Sequence, residues 1–99
     1  MKTLEQTFTE DRRLVILRIL LESDGYRANE FILQSMLERF GHTISADLVR
    51  TELAWLAEQG LIAVDVVADV RIGQLLGRGE DAARGRVEVP GVKRPRAGQ

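Results

Sequence analysis

A helix that runs without a break into a strand fixes most of what this chain can be. Residues Ser45 to Ile62 read SADLVRTELAWLAEQGLI. Ser45 suits a helix N-cap, because its hydroxyl can accept a bond from an amide left orphaned in the first turn. Val49, Leu53 and Leu56 then recur at i, i+4 and i+7, so at about 100° per residue they form one apolar stripe. Gly60 ends the helix, since a residue without Cβ enters the left-handed region cheaply. Directly after it comes LIAVDVV, β-branched and too short for another helix.

Two further helices are expected upstream. Met1 to Phe8 reads as a short polar lead with Leu4 and Phe8 as its apolar members. Thr9, or Thr7 with Glu10 in a capping box, opens a helix near residues 9–23. Leu14, Leu17 and Leu21 mark its stripe, and Ile16, Ile19 and Leu20 widen it. An apolar surface this broad implies contact on more than one side. Asp24 and Gly25 stop it. After a loop from Tyr26, Asn29 caps a second helix near residues 29–40, with Leu33, Met36, Leu37 and Phe40 as its buried face and Gly41 at its close. Only GHTIS separates it from the third helix, near 46–59, and so short a link holds the two at a close angle, as in a helix-turn-helix. Ile44 packs beneath that turn.

Downstream, residues 61–67 and 70–75 read as two strands joined around Ala68 and Asp69, a hairpin in which Gly73 weakens the second strand or marks a bulge. A fourth helix over 76–84 has little local support, because Gly77 and Gly79 each cost about 1 kcal/mol against alanine. From residue 86 the composition turns to Gly, Pro and basic residues, a tail expected to be extended or disordered. The expected fold class is α+β, mostly helical: a winged helix-turn-helix over residues 1–85, with a three-helix core and a two-stranded β-hairpin as wing, followed by the tail at 86–99.

Composition narrows the function classes. With 99 residues, 44% hydrophobic and 29% charged, the chain has the make-up of one globular domain with a modest core. It holds no cysteine, which removes disulfides and thiolate metal ligation and fits a reducing compartment. No apolar run approaches the roughly 20 residues that span a bilayer, and MKTLEQTF lacks an apolar signal region, so no membrane association and a cytoplasmic location are expected. Net charge is −1, with +3 on residues 86–99 and −4 on the rest. The basic footprint of a nucleic-acid binder is thus absent from the body and weakly present in the tail.

With TEDRRLVILRIL, NEFILQSMLE, VRTELAWLAEQGLI and VPGVKRP in hand, the chain resembles the small winged-helix proteins of Mu-like phages and prophages, often described as ArsR-like regulators. The resemblance covers nearly the whole chain. It implies a transcriptional regulator that binds double-stranded DNA as a homodimer in a phage programme inside the bacterial host. Two departures stand out. Soft-metal sensing by ArsR relatives needs cysteine thiolates, and none is present. Such relatives also often open the helix after the wing with Thr or Ser, where this chain has Leu76.

In that reading the third helix enters the major groove, and Thr43, Ser45, Ala46, Arg50 and Thr51 at and near its start are the candidate DNA contacts. Arg50 can grip guanine bidentately and Thr51 can offer a methyl or hydroxyl. Asp47, Thr51, Ala54 and Glu58 lie opposite the apolar stripe, and the two acids there would repel phosphate. Arg71 on the second wing strand and Lys93, Arg94 and Arg96 in the tail are candidate backbone contacts. The bland alternatives are a solvated Arg50, a solvated Arg71 and a solubilising tail. Leu48 and Trp55 share a flank outside the stripe: they either pack on the first helix or form a partner surface, since tryptophan is a preferred hot-spot residue. That surface belongs to the alternative function, a protein-interaction or phage-assembly adaptor with a phage protein as partner and no DNA binding. His42, the lone histidine, is expected to cap or solvate the inter-helical turn rather than bind metal. No cofactor, metal site or catalytic constellation is expected, and the chain does not read as an enzyme.

Overall fold

The computed structural model describes residues 1–96. The elements are α1 (Leu4–Glu22), β1 (Arg27–Asn29), α2 (Glu30–Arg39), α3 (Ala46–Glu58), β2 (Ile62–Val67), β3 (Val70–Leu75) and α4 (Gly77–Ala83), with one 3-10 turn at Asp24–Tyr26. The fold is α+β and mostly helical: four helices with a three-stranded antiparallel sheet of order β1-β3-β2.

α1 begins six residues earlier than a Thr9 cap would allow. Thr3 accepts from the Gln6 amide at 3.1 Å while the Gln6 side chain accepts from the Thr3 amide at 2.9 Å, a full capping box that makes the expected polar lead helical. α2 and α3 start at Asn29 and Ser45, whose side chains accept from Ile32 and Leu48. On α3, Val49, Leu53 and Leu56 are buried against Leu14, Leu17 and Leu20 of α1 and Leu33 and Leu37 of α2. The α2 face differs from expectation. Leu33 and Leu37 are buried, Met36 is half-buried, and Phe40 is 59% exposed.

The hairpin pairs Ile62 with Leu75 through Val67 with Val70. Ala68 and Asp69 turn it at φ of 50° and 64°, the two left-handed positions that a tight two-residue hairpin needs. β3 is the central strand, and its other edge pairs Arg27–Asn29 with Gln74–Ile72, so part of the expected loop before α2 is a third strand. Gly73 makes no bulge, because the register runs through it on both sides. It is buried, and a Cβ there would already touch Leu53, Ile62 and Leu20.

Two C-terminal expectations change. α4 forms without a side-chain cap at Leu76, because its Gly79, Ala82 and Ala83 are buried in the body of the domain. Residues 86–96 do not trail away from it. Val89 and Val92 belong to the core, the Lys93 amide donates to the Glu10 carbonyl at 3.1 Å, and Gly91 lies against the Trp55 ring. The expected boundary at residue 85 therefore separates nothing among the described residues. Residues 97–99 of the expected tail lie outside them.

Candidate functional site

The first turn of α2 carries a carboxylate on its buried face. Glu30 stands at i, i+3 and i+7 with Leu33 and Leu37, and its side chain is 2% exposed. A buried carboxylate is costly unless it is paired and fully hydrogen-bonded. Arg50 of α3 supplies the pair with a two-pronged grip, Nε donating to Glu30 Oε1 at 2.7 Å and Nη2 to Oε2 at 3.3 Å. The main-chain N–H of Arg71 on β3 donates to Oε2 at 2.6 Å. The Arg50 hydrogen bonds, followed by that amide, hold the Glu30 carboxyl below its ordinary range despite burial.

The same arginines close the hairpin turn. The Asp69 carbonyl accepts from Arg50 Nη2 at 3.1 Å and from Arg71 Nη1 at 3.2 Å, and Arg71 Nη1 also reaches Asp69 Oδ1 at 3.0 Å. Arg50 is thus bound into a buried ion pair, whereas the side chain of Arg71 pairs only with the exposed Asp69. Both belong to one charged knot that ties α2, α3 and the hairpin together.

What remains open on α3 is its far side. Thr43, Ser45, Ala46, Asp47, Thr51, Ala54 and Glu58 are exposed, so no part of the described chain covers that face. The Ser45 hydroxyl is engaged as a cap, and the Thr51 hydroxyl donates to the Asp47 carbonyl at 3.2 Å. The face carries two acids and no cation. At the hairpin, Val66 and Val67 are exposed just before the Ala68–Asp69 turn.

A second knot fixes the opposite flank. Glu52 stands within the α3 core stripe and is 2% exposed, and it accepts from Arg12 Nε at 2.8 Å and Arg13 Nε at 3.2 Å. The Arg13 guanidinium lies 3.7 Å from the Trp55 ring centroid and donates to the Gly91 carbonyl at 3.1 Å. Trp55 is thus half-buried between α1 and the C-terminal segment, and Leu48 is half-buried as well. Nearby, Asp11 accepts from Lys93 Nζ at 3.2 Å and lies 2.7 Å from His42 Nε2. Burial pushes the Asp11 carboxyl up, but the His42 and Lys93 hydrogen bonds outweigh it and hold it below the ordinary range. His42 is buried, stacks edge-on to Phe8, and its amide donates to the Leu37 carbonyl at 2.8 Å, so it caps the end of α2 as expected, with its ring buried rather than solvated. Arg94 pairs with Glu88 at 3.9 Å, and Arg96 is exposed.

Sequence reading named Arg50 and Arg71 as separate candidates and missed the Glu30 carboxylate that joins them. A signal existed: Glu30 and Glu52 both fall on otherwise apolar helix faces, and a carboxylate there needs a cation from elsewhere in the chain. Among the described residues no group of His, Asp or Glu is arranged to hold a metal ion, and no helix is long and apolar enough to cross a membrane.

These features define a small α+β domain with two internal charge knots and one open, acidic helix face. The chain is 51% identical over 88 residues to a protein of Escherichia phage Mu described as uncharacterized protein gp26, covering 89% of this chain and 91% of that relative. It is also 51% identical over 65 residues to an uncharacterized protein of Haemophilus influenzae, covering 66% of this chain and 63% of that one. The chain belongs to the Mu-like phage family of gp26. No protein-family model matches it, and no solved structure does.

Proposed function

We propose that this chain is a winged-helix domain that serves a Mu-like phage as a protein-binding or assembly adaptor rather than as a reader of duplex DNA. The order α1-β1-α2-α3-β2-β3 with sheet order β1-β3-β2, a short turn between α2 and α3 and a hairpin beyond α3 supports the winged-helix frame. Kinship with ArsR-like regulators is a proposal about that frame alone, since these 99 residues hold no cysteine for soft-metal sensing.

One observation carries the adaptor reading. The two arginines best placed for DNA are committed to Glu30 and Asp69, which leaves Asp47 and Glu58 as the charges on the open face of α3. Duplex affinity comes largely from cations that displace counterions from phosphate. A face without them suits a protein partner that brings its own basic groups.

The DNA reading keeps one specific support, the exposure of Thr43, Ala46 and Thr51 at the start of α3. A mobility shift with a random duplex pool at low salt separates the two. The adaptor reading expects no shift that weakens steeply with added salt, and capture of a phage protein that is lost when Asp47→Lys and Glu58→Lys are combined. Salt-sensitive duplex binding that falls in Arg50→Ala would overturn it.

A further inference from the structure

β2 runs along an open side of the sheet. In the order β1-β3-β2 it pairs with β3 alone, and its residues, IAVDVV, include neither lysine nor proline. Soluble proteins ordinarily blunt such an edge with those residues, with a bulge or with cover from another element. The hairpin turns on two residues, so Val67 and Val70 form its closing hydrogen-bonded pair, and the pattern alternates from there. The Leu76 amide, donating to the Leu61 carbonyl, keeps the same phase at the far end. The main-chain groups of Ile62, Val64 and Val66 therefore point away from β3. Among the described residues they meet one partner: the Val66 amide donates to the carboxylate of Asp65, its own neighbour in the chain, at 3.0 Å. Ala63, Asp65, Val66 and Val67 are exposed, which leaves the edge open to solvent as far as the turn.

We propose that this edge takes an extended segment of another protein as a fourth strand, antiparallel to β2, with a lysine or arginine of that segment opposite Asp65. Unpaired N–H and C=O groups at every second residue are what an extended main chain recognises, and side chains at alternate positions supply the selection. Asp65 sets the chemistry. Its carboxylate holds the Val66 amide, which an incoming carbonyl has to reach, so the new strand must draw the carboxylate off. A cation directly opposite does so, because Asp65 falls at a non-hydrogen-bonded position of the new pair, where facing side chains come closest. A neutral or acidic segment leaves the carboxylate on the amide. A second copy of β2 brings no cation: pairing about Val64 sets Asp65 opposite Ala63, and a shift of register toward the turn sets Asp65 against Asp65. The contact uses no residue of the α3 face and does not rest on the adaptor reading of that face.

The probe is a short peptide of valine and threonine with a central lysine and blocked ends, titrated into the isotope-labelled full chain and followed by NMR. Saturable binding with a Kd below about 1 mM is expected, with hydrogen exchange slowed at the amides of Ile62, Val64 and Val66 and unchanged at those of Ala63, Asp65 and Val67, which β3 already holds. Glutamate in place of the central lysine should weaken binding about 10-fold. Asp65→Lys should reverse that preference and Asp65→Asn should remove it. Circular dichroism checks the fold of both, and if Asp65→Lys unfolds, Asp65→Asn decides with the same two peptides. N-methylation of the residues on either side of the lysine, whose amides face β2, should cost about 10-fold or more, whereas N-methylation of the lysine itself should cost little. Asp47→Lys combined with Glu58→Lys should leave peptide binding as it was, so a failure of the adaptor reading is told apart from a failure here. No binding at about 1 mM, equal binding of the lysine and glutamate peptides, or protection on α3 in place of β2 would each overturn the proposal. So would protection of the same amides that grows with protein concentration alone, which would put a second copy on the edge.

Discussion

Replacing the two glycines of α4 by alanine, one at a time, is expected to move stability in opposite directions although they stand only two residues apart. Gly77, the first residue of the helix, has nothing within 4 Å of where a Cβ would sit, so Gly77→Ala should be neutral or gain up to about 1 kcal/mol from helix preference. Gly79 lies under the end of β3. A Cβ there would run into the Leu61 carbonyl oxygen and stand 2.7 Å from Leu75 Cδ1. The side chain can rotate away, but the carbonyl is backbone, and it accepts the Leu76 amide at 3.0 Å. Relieving the clash therefore displaces β2 from α4 at an overpacking cost of about 1–3 kcal/mol. Weakening the Leu76 bond adds about 1 kcal/mol. Against this the alanine regains about 1 kcal/mol of helix preference. The net loss is about 2 kcal/mol, which for a domain this small lowers Tm by roughly 10 °C. Thermal melts followed by circular dichroism, with both variants beside the wild type, measure it. Two variants that shift together, or a Gly79→Ala protein as stable as Gly77→Ala, would refute the close seat of α4 on Leu61.

Glu30→Gln should change how stability responds to acid. The folded carboxyl titrates below its unfolded value, so its contribution is present above the unfolded value and is lost as pH falls through the folded one. The gap in urea stability between wild type and variant should be widest at neutral pH and shrink below about pH 4, and a gap that stays constant would count against the Arg50 grip. Deleting residues 86–99 should destabilise the domain severely rather than leave it unchanged, because burying Val89 and Val92 is worth about 1.5–3 kcal/mol apiece out of a total near 5–15. Chemical denaturation of the truncated chain gives the answer, and a midpoint equal to that of the full chain would return these residues to the status of a tail.

What could be read from the sequence was whatever is encoded locally. Asn29 and Ser45 as caps, the Val49, Leu53, Leu56 stripe and the Ala68–Asp69 turn each lie within a few residues of the feature they set. Thr3 with Gln6 carries the same kind of signal but competes with Thr7 and Thr9, and the earliest of the three wins because it makes both halves of the box. β1 had no signal of its own. Three residues show no alternation, and they are strand only because β3 offers them an edge. The C-terminal segment reads as polar and proline-rich, yet two valines and the Gly91 contact with Trp55 seat it. Its partners lie far away along the chain, as do those of Glu30 and Glu52, and local pattern does not register pairs that distant.

On the adaptor proposal, the Glu30 knot is what draws Arg50 away from an outside partner. The first turn of α2 already favours an anion through the exposed amides of the helix start. Burying Glu30 there obliges a cation to come to it, and Arg50 grips it most directly, with Arg71 adding its charge and amide. Two left-handed residues at Ala68 and Asp69 then turn the Asp69 carbonyl toward the same guanidinium, so the angle of the hairpin to α3 is set by charge as well as by aliphatic packing. A phosphate that drew Nε and Nη2 of Arg50 away would leave Glu30 with the Arg71 amide alone and take one of two donors from the Asp69 carbonyl. On that proposal, rigidity of the helix–hairpin unit and affinity for duplex draw on the same side chain, and the pairing with Glu30 favours rigidity.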